Sequence, residues 1–265
     1  MNFESKIGII GLGFVGGAIK NSLPFVETVV VDVDNEKNTG TYDELMKCAG
    51  IFVCVPSPRG ERGFCDSRIL ESVLLKLKDY TGVIISKTTA TPDVYEHLGK
   101  TYKNLVHSPE FLTAANANRD YMNGTFCIIG GSVEAYIREA ERLIKTTQPF
   151  LQEVHYCTLG EAALTKYSIN SFLATKVTFM NELWGIAVAS GLDYDRIIEM
   201  INADNRIGPT HMAVPGPDGS FGFGGMCFPK DTEALLKYAE SINCQMNVLD
   251  AAVKKNTILR LTEPK

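Results

Sequence analysis

The sequence predicts an α/β protein. A parallel-sheet domain spans residues 1–158, and an all-helical domain with a long central helix spans residues 159–265. Three observations predict it. Short apolar runs recur through the first half (Ile7–Ile10, Val29–Val31, Ile51–Val55, Val83–Ile85), and each stops at glycine, proline or a polar residue, as strands buried on both faces do. A glycine-rich hexamer, Gly11-Leu12-Gly13-Phe14-Val15-Gly16, separates the first run from a helical pattern. From Leu159 to Ala189 there is no proline, and apolar residues return every three or four positions.

The first elements carry a specific chemistry. Lys6–Ile10 reads as a strand, Gly17–Leu23 as helix, and Val29–Asp32 as a second strand ending in a carboxylate. A GxGxxG loop in that setting is a dinucleotide-binding fingerprint of a Rossmann-like domain. Gly11 permits the tight turn, Gly13 lets backbone approach a pyrophosphate at the helix N-terminus, and Gly16 allows close helix–strand packing. Phe14 and Val15 complete the loop. Asp32 would accept from the adenosine ribose hydroxyls and repel a 2′-phosphate, which favours NAD over NADP. The competing reading is the same fold with an empty groove.

Ile51–Val55 ends in Pro56-Ser57-Pro58, and Val83–Thr89 ends in hydroxyls. Asn104–His107 is a further strand, followed by Ser108-Pro109-Glu110-Phe111-Leu112. Phe126–Gly131 reads as strand and turn, Ser132 as the cap of a helix through Leu143, and Glu153–Cys157 as the last strand, with His155 packed within it. The long helix presents more than one apolar face, which implies burial on both sides. Lys166 and Asn170 stand four apart and share a face. A helix starts at Asp193 and ends near Asp204, a proline-rich linker covers Pro209–Gly219, and helices cover Glu233–Ala239 and Val248–Asn256, with Ile258–Leu261 as a continuation.

Gly222-Phe223-Gly224-Gly225-Met226-Cys227-Phe228-Pro229-Lys230-Asp231 sets one thiol in a glycine-rich turn ahead of a helix. A cysteine beside a lysine and a helix N-terminus has a lowered pKa and is a nucleophile as thiolate. The other reading is a buried structural thiol.

Composition bounds the partners. The chain has 265 residues, 45% hydrophobic and 22% charged, which is ordinary for a globular protein. The formal charge of −5, without a basic run, speaks against nucleic acid. No apolar run is long enough to span a membrane. Met1–Lys6 reads as entering the first strand at once rather than as a signal peptide, which points to the cytoplasm. Seven cysteines, an odd number without a CxxC pair, suit reduced thiols, and no cysteine/histidine cluster has zinc-ligand spacing.

The string Gly222–Asp231 resembles the catalytic-cysteine motif of the UDP-glucose/GDP-mannose dehydrogenases. The resemblance extends to Pro56-Ser57-Pro58, Lys87-Thr88-Thr89, Ser108–Leu112, the pattern Glu161-x4-Lys166-Tyr167-x2-Asn170, and Arg206-Ile207-Gly208. It implies oxidation of a nucleotide-sugar C6 to a carboxylate with two NAD, UDP-glucose being the first choice of substrate. It implies Cys227 as nucleophile and Lys166 as stabiliser of the C6 oxyanion. Asn170 and Thr89 would hold substrate and water, and Glu110 and Asp231 would assist hydrolysis. Pro56 and Thr89 would lie near the nicotinamide. Glu110, Phe111, Leu112, Lys166, Asn170, Arg206 and Gly224 would contact the sugar nucleotide. It also implies a homodimer through the 159–190 helix, with Arg206 reaching a neighbouring subunit.

Without the resemblance, Glu110 reads as a solvated loop acid, Lys166 as a solvated helix charge and Thr89 as a strand end or cap. Two departures stand out. Ala114 occupies the place of the family's second glutamate. The chain also stops at Pro264-Lys265, near the junction with the family's nucleotide-sugar-binding domain. These motivate an alternative, a catalytically weak NAD-binding module that works with a full-length relative or a separate second-domain chain. A third reading is a two-electron β-hydroxyacid dehydrogenase, which needs no cysteine.

Overall fold

The computed structural model describes residues 6–262; the expected entry of residues 1–5 into the first strand, and the Pro264-Lys265 end, lie outside the described residues. The elements in order are β1 (Ile7–Ile10), α1 (Phe14–Asn21), β2 (Thr28–Val31), α2 (Tyr42–Leu45), β3 (Gly50–Val53), α3 (Arg68–Lys76), β4 (Val83–Ser86), α4 (Pro92–Thr101), β5 (Leu105–His107), α5 (Ala117–Met122), β6 (Phe126–Gly130), α6 (Glu134–Thr147) and β7 (Glu153–Cys157). Then come α7 (Leu159–Ala189), α8 (Tyr194–Asn202), α9 (Phe228–Ser241) and α10 (Asn247–Arg260). The seven strands form one sheet in the order β2-β1-β3-β4-β5-β6-β7. The fold is the expected α/β architecture: a Rossmann-like sheet domain and a run of helices that includes the long one.

The strands from β1 to β5 are apolar on both sides because both faces are covered. Ile51, Val53, Ile84 and Leu105 face one buried cluster, which also takes in Leu159 and Ala163 from the start of α7. Ile7, Ile9, Val30, Phe52, Ile85, Val106 and Ile129 face the other. From β1 the chain passes to β2 on one side and β3 on the other. The carboxyl ends of β1 and β3 therefore flank a topological switch point, where ligands bind in such sheets.

The parallel pattern has one exception. β6 runs antiparallel to β5 and meets it at His107 and Gly130. β6 starts at the edge where β5 ends, so the connection carrying α5 does not cross the sheet. Two local expectations are corrected. Ser132 does not cap α6, since Val133 takes the cap position and no side chain bonds the helix end. His155 is not a packed histidine. It is exposed on the edge strand β7, and its Nε2 lies 3.1 Å from Glu153 Oε1.

Two compact units result. One runs up to Pro58 and includes Cys65–Lys166; the other holds Arg59–Phe64 and the chain from Tyr167 on. The helix α7 belongs to both. A capping box starts it: Thr158 Oγ1 accepts from the Glu161 amide at 3.2 Å, and Glu161 Oε2 accepts from the Thr158 amide at 2.7 Å. Gly191, at φ +67°, ends it, and the Leu192 amide donates back to the Ala187 carbonyl at 2.8 Å. No helix among the described residues is long and apolar enough to cross a membrane.

Candidate active site

The glycine loop sits at the carboxyl end of β1. Gly11 is at φ +87°, and a Cβ there would stand 2.8 Å from the Cys54 carbonyl oxygen, on the turn after β3. A Cβ at Gly16 would fall 1.9 Å from the Gly11 carbonyl oxygen, so only glycine lets α1 start this close to the strand. Gly13 differs: no atom lies within 4 Å of its would-be Cβ. Open space at that position, over the N-cap of α1, is what a pyrophosphate approaching the backbone requires. Phe14 is exposed on the first turn.

The Asp32 carboxylate accepts from the amide of Leu12 in the loop and from the amide of Asp34 at 2.9 Å. Burial acts to raise its pKa, but these bonds outweigh it and hold the group below the usual carboxylate range. A carboxylate has about four acceptor sites, so two remain for a ribose diol. The residues present thus fit a dinucleotide. Nearby, Thr88 Oγ1 donates to the Val55 carbonyl at 2.9 Å and ties the turn after β4 to Val55-Pro56, while the Thr89 carbonyl accepts from the Cys65 thiol.

Beyond β5, Glu110 meets Lys166. The Lys166 ammonium, 3% exposed as a residue, donates to the Glu110 carbonyl at 2.6 Å and to Oε1 at 3.3 Å, and lies 5.2 Å from the Phe111 ring centre. Lys166 is therefore no solvated helix charge, and Glu110 is no solvated loop acid. The other Glu110 oxygen accepts from the Leu112 amide at 2.8 Å, which shapes the Glu110–Leu112 turn. This turn walls a cavity of about 200 Å³ whose lining includes Lys87, Tyr121, Cys127 and Gln148. Ala114 opens a 3₁₀ turn that leads into α5.

In the helical unit, Cys227 occupies the N-cap of α9 and is exposed. Its carbonyl accepts from the Asp231 amide at 2.8 Å. The Asp231 carboxylate is buried and held from two sides. Asn170 Nδ2 donates to one oxygen at 2.6 Å, and Lys230 Nζ to the other at 2.5 Å. A buried carboxylate survives only with such donors. Sequence reasoning selected Cys227, Asn170 and Asp231 without the bond that joins the last two.

Arg206 is exposed and chelates Asp204 of its own chain, with Nε 2.9 Å from Oδ1. Lys176, which the sequence reading missed, holds the same turn by donating to the carbonyls of Ile207 at 3.2 Å and Gly208 at 2.8 Å. Gly224 lies against Arg260, whose guanidinium would be 2.8 Å from a Cβ there. Two buried asparagines, Asn181 and Asn256, were also missed. They bond the backbone of Gly222 and Phe223. The only signal in the sequence is a weak one, that asparagine is poor in helix interiors and gains from a backbone partner.

Comparison with known proteins gives the family. Residues 37–148 match the model of the UDP-glucose/GDP-mannose dehydrogenase family, NAD binding domain, and residues 160–258 match that family's central domain. The UDP-glucose 6-dehydrogenase TuaD of Bacillus subtilis is 29% identical over 218 residues, covering 78% of this chain and 46% of the relative. A UDP-glucose 6-dehydrogenase of Pseudomonas aeruginosa is 33% identical over 225 residues, covering 78% and 48%. The UDP-glucose dehydrogenase structure from Pyrobaculum islandicum superposes with a TM-score of 0.81 at 24% identity, covering 96% of this chain and 68% of that one, which speaks for the fold. The chain spans about half the length of these curated relatives. It carries an NAD-binding domain, and its cofactor is NAD. By both matching domains and by its identity to such relatives, the chain belongs to the UDP-glucose/GDP-mannose dehydrogenase family.

Proposed function

We propose that this chain carries the catalytic machinery of an NAD-dependent nucleotide-sugar 6-dehydrogenase, with UDP-glucose as the first candidate substrate. The observation that carries the reading is Cys227 at the start of α9, one helical turn before a buried Asp231 that Asn170 and Lys230 hold. A thiol on a helix N-terminus is favoured as thiolate, and a fixed carboxylate can take a proton from water.

NAD, when bound, supplies the hydride acceptor, two equivalents per sugar. The residues do the rest. The C6 hydroxymethyl group first gives up one hydride and its hydroxyl proton to become an aldehyde, and Cys227 Sγ then adds to it, forming the C–S bond of a thiohemiacetal. Loss of the second hydride leaves a thioester. Water then attacks the thioester carbonyl, the C–S bond breaks, and the thiol and the C6 carboxylate are released. Lys166 donates to the C6 oxygen where negative charge develops. Glu110 takes the proton of the attacking water, Asp231 assists, and Asn170 and Thr89 orient the water. Ala114 removes one carboxylate from the family's usual pair, which supports slow hydrolysis or a different sugar. Phe111, Leu112 and Gly224 line the sugar nucleotide, and Arg206 reaches the substrate of a second copy.

We infer a homodimer through α7. Phe172, Phe179 and Ile186 are seven residues apart and 69%, 59% and 61% exposed, an apolar stripe along one side of that helix in the single chain.

The test is NADH formation by the purified chain with NAD and a panel of UDP- and GDP-hexoses. Two NADH per sugar supports the four-electron route. One NADH per substrate supports a two-electron hydroxyacid dehydrogenase, and silence with every sugar overturns the reading. Cys227→Ser should still bind NAD and sugar and stall at or before the aldehyde or a slow ester. Two NADH at the wild-type rate from that variant would leave Cys227 a structural residue.

A further inference from the structure

We infer that Asn181 and Asn256 are positioning residues that set the path of the cysteine loop; the inference rests on the reading of Cys227 given above. The loop from Phe221 to Met226 has no strand or helix of its own, and Gly222 and Gly225 turn it through φ +71° and +77°. Its backbone groups near Phe223 are buried, and such groups need partners. Two helices supply them. Asn181 on α7 accepts from the Gly222 amide at 3.0 Å, while its Nδ2 donates to the Val177 carbonyl at 2.8 Å and so fixes which way the carboxamide faces. Asn256 on α10 accepts from the Phe223 amide at 2.7 Å and donates to the Phe223 carbonyl at 3.0 Å. That is the two-bond exchange a strand neighbour would make, here from one side chain.

The carboxamides are 4% and 8% exposed as residues, so water does not compete for these bonds. Phe221 packs on Trp184 at 4.8 Å between ring centres, and Phe223 meets Phe228 edge-on at 6.3 Å. Phe228 is the first residue of α9, directly after Cys227. The clamp therefore acts at the loop's entry, and the aromatic contact passes that geometry to the helix start where the thiol sits. Gly222 is part of the device, since a Cβ there would stand 2.3 Å from Asn256 Oδ1. Glycine at 222 answers two demands, the backbone at φ +71° and the room taken by the Asn256 carboxamide.

The experiment uses Asn256→Leu, Gly222→Ala and the double variant, with Tyr194→Phe as control. The control removes a buried bond of the same unit, from the Tyr194 hydroxyl to the Met212 carbonyl, and leaves the clamp intact. Three quantities are read below the lowest melting temperature: turnover with NAD and sugar, NAD affinity, and the pH profile of iodoacetamide labelling at Cys227 by peptide mass spectrometry. Exposed Cys244, near the far end of α9, is the internal reference. Each clamp variant should lower kcat by about 10- to 100-fold at unchanged NAD affinity, because small displacements of a reacting group cost that much. Each should move the labelling midpoint of Cys227 upward as the thiol leaves the helix end, and leave Cys244 unchanged. The double variant should lose clearly less in kcat than the two single losses multiplied together, since both variants disturb the Asn256 contact. A lower melting temperature with unchanged kcat and labelling profile, as for the control, overturns the proposal. So does full additivity of the two variants. Wild-type turnover by Cys227→Ser would instead remove the reading of Cys227 on which it rests.

Discussion

A methyl group added at Gly13 and one added at Gly16 should do opposite things, though the glycines are three residues apart in one loop. At Gly16 the new carbon would stand 1.9 Å from the Gly11 carbonyl oxygen and 3.4 Å from Cys54 Cβ. The first contact is roughly 1.5 Å too close, and the obstacle is backbone, so α1 must move away from β1. Overpacking of this kind costs about 1–3 kcal/mol. At about 2–4 °C per kcal/mol for a domain of this size, melting should fall by about 2–12 °C. At Gly13 the new carbon meets nothing, so the fold loses no more than about 1 kcal/mol of N-cap preference. The methyl does fill the space over the helix N-terminus that a pyrophosphate would enter. NAD affinity should therefore fall at least about tenfold, about 1.4 kcal/mol. Circular dichroism melts without cofactor measure the first effect, and NAD titration calorimetry below both melting temperatures measures the second. Wild-type NAD affinity in Gly13→Ala would refute the placement of the pyrophosphate. An unchanged melt for Gly16→Ala would refute the packing argument.

Asp32→Ala should weaken NAD and relax its preference over NADP; unchanged cofactor selectivity in the same titration would remove Asp32 from the ribose site. Lys166→Ala should lower turnover more than it weakens sugar binding, because oxyanion stabilisation is a transition-state effect, and equal losses would make Lys166 a binding residue only. Phe179→Glu should turn a dimer into a monomer in sedimentation, and an unchanged mass would move the interface off α7. Acid stability should reflect His107, which is fully buried, stacks on Tyr95 at 3.9 Å, and donates from Nδ1 to the Ser86 carbonyl at 3.0 Å. Burial pushes its pKa down to about 3. The unfolded chain, near pKa 6.5, then binds the proton that the folded chain refuses, so stability falls with pH below about 6.5, by up to about 1.4 kcal/mol per unit. Urea melts of wild type and His107→Gln at pH 7, 6 and 5 should give a shallower slope for the variant, and equal slopes would exclude His107 as the source.

Local pattern carries what the sequence by itself determined. The strand, glycine loop, helix and carboxylate of residues 6–32 are neighbours in the chain, and each needs only steric rules that act over a few residues. The length of α7 follows from the absence of proline and from a capping box within four residues. A helix after Cys227 was legible from the sequence, but it starts at Phe228, ahead of the expected Glu233, because Pro229 is tolerated in its first turn. Tertiary structure alone decided the partners. Glu110 and Lys166 are 56 residues apart, and Asn170 and Asp231 are 61 apart. No periodicity links such pairs, because which side chains meet depends on how the chain crosses the sheet and how the helices pack. The reversed direction of β6 and the exposure of His155 were hidden for the same reason, since an edge strand and an inner strand can share one composition. Asn181 and Asn256 were the least visible. Each is one of several polar residues on its helix, and only the folded loop shows which backbone groups it satisfies.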